Sequence, residues 1–166
     1  MTPEERARTI AYLDLADGRG SVPLLDDAGV RELLGSARRI AVIGASDRPG
    51  RASYDVFRHL LGVGFDCVPV NPRVVDVAGI AAYPTLAEAV EATGPFDIVD
   101  VFRRPELRAE HAREAVATGA RCLWLQLGIV DWESATIAHE AGLDVVMDRC
   151  LSVEWRRLGG RSTEGA

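Results

Sequence analysis

The stretch GASDRPGRAS, Gly44 to Ser53, follows the apolar run RRIAVI and precedes the helical pattern SYDVFRHLL. Its residue types suit the holding of an anion. Gly44 lets the chain turn tightly, Ser46 and Ser53 offer hydroxyl donors, and Arg48 and Arg51 bring positive charge. A helix opening near Ala52 would direct its free backbone N–H groups at the same place, the arrangement that holds phosphate at helix N-termini. A solvated loop that merely needs a glycine is the alternative. The dinucleotide fingerprint G-x-G-x-x-G is broken, because Ser46 stands at its second glycine and Pro49 at its third, which argues against NAD. A P-loop requires a lysine, and all 19 basic residues are arginine.

Three further segments carry similar chemistry. In VPVNPRVVDVAG the place where a dinucleotide enzyme usually has an acid for the ribose hydroxyl holds Asn71 and Pro72, with Arg73 as a third cation; a plain Asn-Pro turn is the competing reading. The run FDIVDVF leads into RRPEL, so Phe102 offers an apolar platform beside Arg103 and Arg104. After RCLWLQ comes LGIVD, where Gln126 can hydrogen-bond and Gly128 permits close approach of backbone to a ligand. Arg48, Arg51, Arg73, Arg103 and Arg104 thus fall on three loops of a chain whose net charge is -6. A polyanion site explains that grouping better than scatter does.

The elements that must position these residues are legible in the apolar pattern. From Arg39 onward, apolar runs of strand length (IAVIG, FDCVPV, FDIVDVF, RCLWLQLG, LDVVM) alternate with helical segments, the signature of parallel strands buried on both faces. A shorter extended piece is expected in GIAAY. Helices are expected from Ala52, over TLAEAVEAT with a Thr85 and Glu88 capping box, over 105–118 and over 131–141. The fold class is α/β, Rossmann-like and doubly wound, a mainly parallel sheet with helices on both faces. In such sheets ligands bind outside the carboxyl ends of the strands, where the strand order reverses. Ahead of this core, PEERARTIAYLDLA with Thr2 as N-cap and DDAGVRELLGSA read as two short helices. The organisation expected is an N-terminal helical extension, residues 1–36, packed on a domain of residues 37–158, with a flexible tail, 159–166.

Composition narrows the function classes. The negative net charge argues against nucleic acid and anionic membrane as partners. No apolar run approaches the roughly 20 residues that span a bilayer, and the charged start MTPEERARTI lacks the core of a secretory signal, so a cytoplasmic location is expected. Cys67, Cys122 and Cys150 show no C-x-x-C spacing and read as reduced thiols. His59, His111 and His139 fall inside predicted helices, and neither a nucleophile elbow nor a metal-binding spacing is present. No catalytic residue is assigned. In MDRC, Asp148 and Arg149 are expected to form an ion pair that ends the last strand, and VEWRRL reads as an exposed end that could serve an interaction.

The segments IAVIGASDRPGRASYDVFRHL, VPVNP, YPTL, DIVDVFRRPE, WLQLGI and VVMDRCLSVEWRRL together resemble the small bacterial and archaeal CoA-binding proteins, relatives of the CoA-binding domain of the succinyl-CoA synthetase α subunit. The resemblance spans roughly 37–158. It implies a site for coenzyme A or an acyl-CoA, whose phosphates would meet the arginines. By matching position, Gly44, Ala45, Ser46, Arg48, Arg51 and Ser53 would form the first loop. Asn71, Pro72 and Arg73 would border the adenosine, with Phe102 and Arg103 beside them. Gln126 and Gly128 would lie toward the pantetheine arm. The expectation is a stand-alone, non-catalytic carrier, sensor or regulator. An NAD(P)-dependent oxidoreductase, or the CoA-binding subunit of an acyl-CoA synthetase or transferase, stays open, as does a homodimer or a separate protein partner.

Overall fold

The computed structural model of the chain describes residues 1–103 and 105–159. Five strands form one parallel sheet: β1 (Arg39–Ile43), β2 (Asp66–Val70), β5 (Ile98–Val101), β6 (Cys122–Leu125) and β7 (Asp144–Val146), in the order β2-β1-β5-β6-β7. A two-stranded antiparallel pair, β3 (Asp76–Val77) and β4 (Ile80–Ala81), follows β2. The chain leaves β1 toward β2, then crosses back over β1 to lay β5 on its other side. The strand order therefore reverses between β1 and β5, and a crevice opens there at the carboxyl ends.

The strands are apolar on both faces because both faces are covered. Ala41, Ile43, Val99, Val101, Leu123 and Leu125 point to the face carried by α4 (Leu86–Thr93), α5 (Pro105–Ala117) and α6 (Trp132–Glu140). Those helices present Ala89, Ala112, Ala115, Ala135 and Ala138, small side chains that let them lie close to the sheet and to each other. Ile40, Val42, Ile98, Cys122 and Trp124 point to the opposite face. Larger residues cover it, from α2 (Asp27–Ser36), α3 (Ala52–Gly62), α7 (Leu151–Glu154) and the π-helical turn Trp155–Gly159 that continues α7.

The two N-terminal helices differ in their attachment. α2 buries Val30, Leu33 and Leu34 in the core. α1 (Pro3–Ala16), opened by a complete Thr2–Glu5 capping box, buries no residue completely. It is held across the carboxyl edge by Tyr12, whose hydroxyl donates to the Gly128 carbonyl at 2.6 Å, and by the Trp132 indole N–H on the Ala11 carbonyl at 3.3 Å.

Two expectations need correction. Arg149 pairs with Asp27 at 3.1 Å and approaches Glu154 at 3.9 Å, whereas Asp148 accepts the Gly128 N–H at 2.8 Å; Asp148 has a positive φ of 59°, which turns it away from its neighbour. The VEWRRL end is exposed only in part: Val153, Arg156 and Arg157 face solvent, whereas Glu154 and Trp155 are buried. Trp155 is buried edge-on against Phe65 with ring centroids 5.2 Å apart, and Arg157 is bonded to both Asp27 and Glu154. Of the tail, Gly159 belongs to the π-helical turn, and the remainder, like Arg104, lies outside the described residues. Among the described residues no helix is long and apolar enough to cross a membrane.

Candidate functional site

Gly44 is fixed by its neighbours on both sides. Its N–H donates to the Val70 carbonyl at 2.8 Å, its φ is 84°, and a Cβ placed on it would overlap the Phe102 carbonyl oxygen. Only glycine meets both the backbone conformation and the space. The Arg103 side chain also passes this point, its Cδ 3.4 Å from where that Cβ would sit. Gly44 thus lets the loop after β1 lie directly against the loop after β5, at the reversal of strand order.

The loop after β1 is organised by its own hydroxyls. Ser53, buried on the first turn of α3, accepts the Ser46 N–H at 3.0 Å, and Ser46 accepts the Arg48 N–H at 3.1 Å. Each hydroxyl keeps its own hydrogen to donate. Gly50 donates to Asp55 Oδ1 at 3.2 Å, and Ala45 is fully buried. The N-cap of α3 is Arg51, which makes no side-chain capping bond, so the positive end of that helix dipole faces the loop without a capping oxygen.

Asn71 ties the second loop to the first. Its side-chain N–H donates to the Ala45 carbonyl at 2.9 Å, while its Oδ1 accepts the Arg73 N–H at 2.9 Å. The turn reading of Asn71-Pro72 is therefore correct for the side chain, and the turn positions Arg73. Arg48, Arg51 and Arg73 are exposed, and among the described residues none of the three makes an ion pair. Phe102 is half-buried, and the Arg103 carbonyl accepts from Arg108 Nε at 2.8 Å.

Gln126 and Gly128 belong to a different part of the edge. Gln126 is buried, and its side-chain oxygen accepts the Leu151 N–H at 3.4 Å at the start of α7. Gly128, with φ 88°, is glycine for its backbone conformation; nothing lies within 4 Å of a Cβ placed there. Its N–H is taken by Asp148 and its carbonyl by Tyr12. The structure therefore links residues 44–53, 71–73 and 102–103, ties Gln126 to Val101 and to the start of α7, and sets Gly128 apart against α1. Tyr12 had no motif to mark it, since the contact spans more than a hundred residues of sequence.

Titratable groups nearby have structural settings. Asp100, on β5 below the crevice, is completely buried with no hydrogen-bond partner for either oxygen, and burial pushes its carboxyl well above the usual carboxylate range. That favours a neutral acid, which does not repel an anion above it. Burial likewise pushes the Cys67 and Cys122 thiols up, away from the reactive thiolate. His111 Nδ1 lies 3.0 Å from Glu114, whose other oxygen accepts the Leu86 N–H, so the pair joins α5 to the start of α4. The His111 hydrogen bond holds the Glu114 carboxyl below its usual range. Among the described residues no group of three or more His, Cys, Asp or Glu side chains could hold a metal ion.

Comparison with known proteins agrees with this architecture. YneT of Bacillus subtilis (strain 168) is 40% identical over 126 residues, 76% of this chain and 91% of that protein. A solved structure from Thermus thermophilus is 39% identical with a TM-score of 0.75, covering 81% of this chain and 99% of that one. A hypothetical protein from Pyrococcus horikoshii OT3 is 36% identical with a TM-score of 0.76, covering 81% and 92%. Residues 38–156 match the family described as the CoA binding domain, so that β1 through α7 fall inside the match and α1 and α2 precede it. The chain belongs to the CoA-binding domain family.

Proposed function

We propose that this protein binds coenzyme A or an acyl-CoA as a stand-alone, non-catalytic carrier, sensor or regulator. The observation that carries the reading is the set of exposed arginines 48, 51 and 73, which make no ion pair among the described residues, around the N-terminus of α3, which has no side-chain capping bond, in a chain of net charge -6. Guanidinium groups form charge-assisted, bidentate bonds to phosphate, and coenzyme A carries a pyrophosphate and a 3'-phosphate for them to meet. In this reading Gly44, Ala45, Ser46 and Ser53 cradle the pyrophosphate with Arg48 and Arg51. Asn71, Pro72 and Arg73 border the adenosine and its 3'-phosphate. Phe102 and Arg103 flank the crevice, and Gln126 and Gly128 lie toward the pantetheine arm.

Family membership supports the ligand class, and the absence of an acid at the end of β2 favours it over NAD. The non-catalytic part of the proposal is supported by the employment of the nearby acids and histidine: Asp148 holds Gly128, and His111 and Glu114 join two helices. Titration calorimetry with CoA, dephospho-CoA and NAD tests the reading. The expected order is CoA tightest, dephospho-CoA weaker by about tenfold for one lost charged contact, and NAD weakest. Preference for NAD, or equal binding of CoA and dephospho-CoA, would reject it.

A further inference from the structure

α1 crosses the carboxyl edge near β6 and β7, and a groove open to solvent runs along the helix. This groove, of about 670 Å³, is lined by Arg8, Thr9, Tyr12, Leu13, Leu15 and Ala16 of α1 and by Asp148. A second, of about 520 Å³, shares Leu15 and extends past Trp132 to Arg149. A fourteen-residue helix ordinarily docks through a buried apolar stripe. α1 instead buries no residue completely and leaves Leu13 51% exposed beside the groove. Its attachment is polar and peripheral, through Tyr12 on Gly128 and Ala11 on Trp132.

We infer that the groove along α1 receives the acyl chain of an acyl-CoA. The inference rests on the coenzyme A reading, which places Gly128 beside the pantetheine arm. The Gly128 carbonyl bonds to Tyr12 and its N–H to Asp148, and both of those residues line the groove, so the groove starts where the thioester end of the ligand would arrive. Leu13, Leu15, Ala16 and the Tyr12 ring give it an apolar lining suited to alkyl carbon, with Arg8, Thr9 and Asp148 as its polar groups. At ~30 Å³ for each water, the groove has room for about twenty, far more than an acetyl group fills. An alkyl chain of medium length is the occupant that this volume and lining fit. Apart from Asp148, Trp132 and Arg149, the residues lining both spaces precede the family match, so chain-length preference is a property that α1 and the loop after it add to this protein.

The test is calorimetry of the full chain with CoA, acetyl-CoA and octanoyl-CoA. Octanoyl-CoA is expected to bind at least about tenfold tighter than acetyl-CoA, since each methylene removed from water favours binding roughly fourfold when fully buried. Leu13→Asp, at a half-exposed position, and Ala16→Trp, which fills the space, are each expected to abolish that difference while CoA affinity stays within about twofold. If CoA binds but the two acyl forms bind equally to the unaltered protein, the acyl groove is refuted and the coenzyme A reading stands. Persistence of the preference in both variants also refutes it. Failure of all three ligands to bind removes the reading and the inference together.

Discussion

The two edges of the sheet use arginine in opposite ways. At the amino ends of the strands two guanidiniums are answered: Arg39 meets Asp66 at 2.7 Å, bonds the Pro95 carbonyl and Thr93, and lies 4.5 Å over the Phe96 ring, while Arg121 faces Asp97 at 3.8 Å. Asp97 also accepts the backbone N–H groups of Arg38 and Arg39. At the carboxyl ends of β1 and β2, Arg48, Arg51 and Arg73 have no such partners among the described residues. Further along that edge, beyond β7, Arg149 is answered again by Asp27 and Glu154. Arg6, Arg8, Arg31, Arg38, Arg58 and Arg156 also make no ion pair among the described residues, so what sets Arg48, Arg51 and Arg73 apart is that they stand together on the loops after β1 and β2. The lesson is that a missing partner gains meaning from position: these three cations stand where the strand order reverses.

This contrast can be broken at several points. The largest effect is expected from Gly44→Val, which places a branched side chain against the Phe102 carbonyl at a φ of 84°. It should cost about 3 kcal/mol, a fall in Tm of roughly 10 °C, and should abolish CoA binding, read by thermal unfolding and calorimetry. Arg39→Ala should remove about 2 kcal/mol of stability and leave CoA affinity unaltered; an affinity loss there would show that the amino edge is not merely structural. Arg48→Ala and Arg51→Ala should do the reverse, each weakening CoA about tenfold and flattening the salt dependence of binding without moving Tm. Unchanged affinity in both would place the phosphates elsewhere. The smallest effect concerns Asp27, whose hydrogen bond from Arg157 lowers its pKa from 3.8 to about 2. A depressed folded value means that the contribution is present above the unfolded value and lost as pH falls from near 4 toward 2. Asp27→Asn should therefore narrow the stability gap between pH 6 and pH 3 relative to the unaltered protein, measured by urea unfolding at each pH.

Much of the fold is legible in the sequence because its signals are local. The strand runs IAVI and CLWL need burial on both faces, and Pro105, Gly119 and Gly142 punctuate helices with chemistry that acts within a few residues. The same holds for the loop after β1, where Ser46 and Ser53 meet across seven positions. What the residues alone did not disclose depends on distant partners. Arg149 stands next to Asp148 in sequence, yet it pairs with Asp27 because α2 packs beside the turn after β7. Trp155 lies in a charged, exposed-looking segment and is buried because Phe65 sits across from it. The paired strands β3 and β4 are too short to carry a periodic signal, and only the second lies in an expected extended piece, GIAAY. The anchoring of α1 through Tyr12 follows from a contact that no window of sequence contains.

The seam between α2 and the π-helical turn has a consequence for synthesis. Asp27 and Leu34 belong to the first quarter of the chain, yet they are met by Arg157, Trp155 and Gly159, which leave the ribosome last among the described residues. The face covered by α4, α5 and α6 can close while translation continues, since all its parts are made by residue 146. The other face keeps an open apolar strip until the final turn emerges. For a nascent chain adding about 5–20 residues per second, that strip stays uncovered after the sheet is complete, and it is the surface a chaperone would meet.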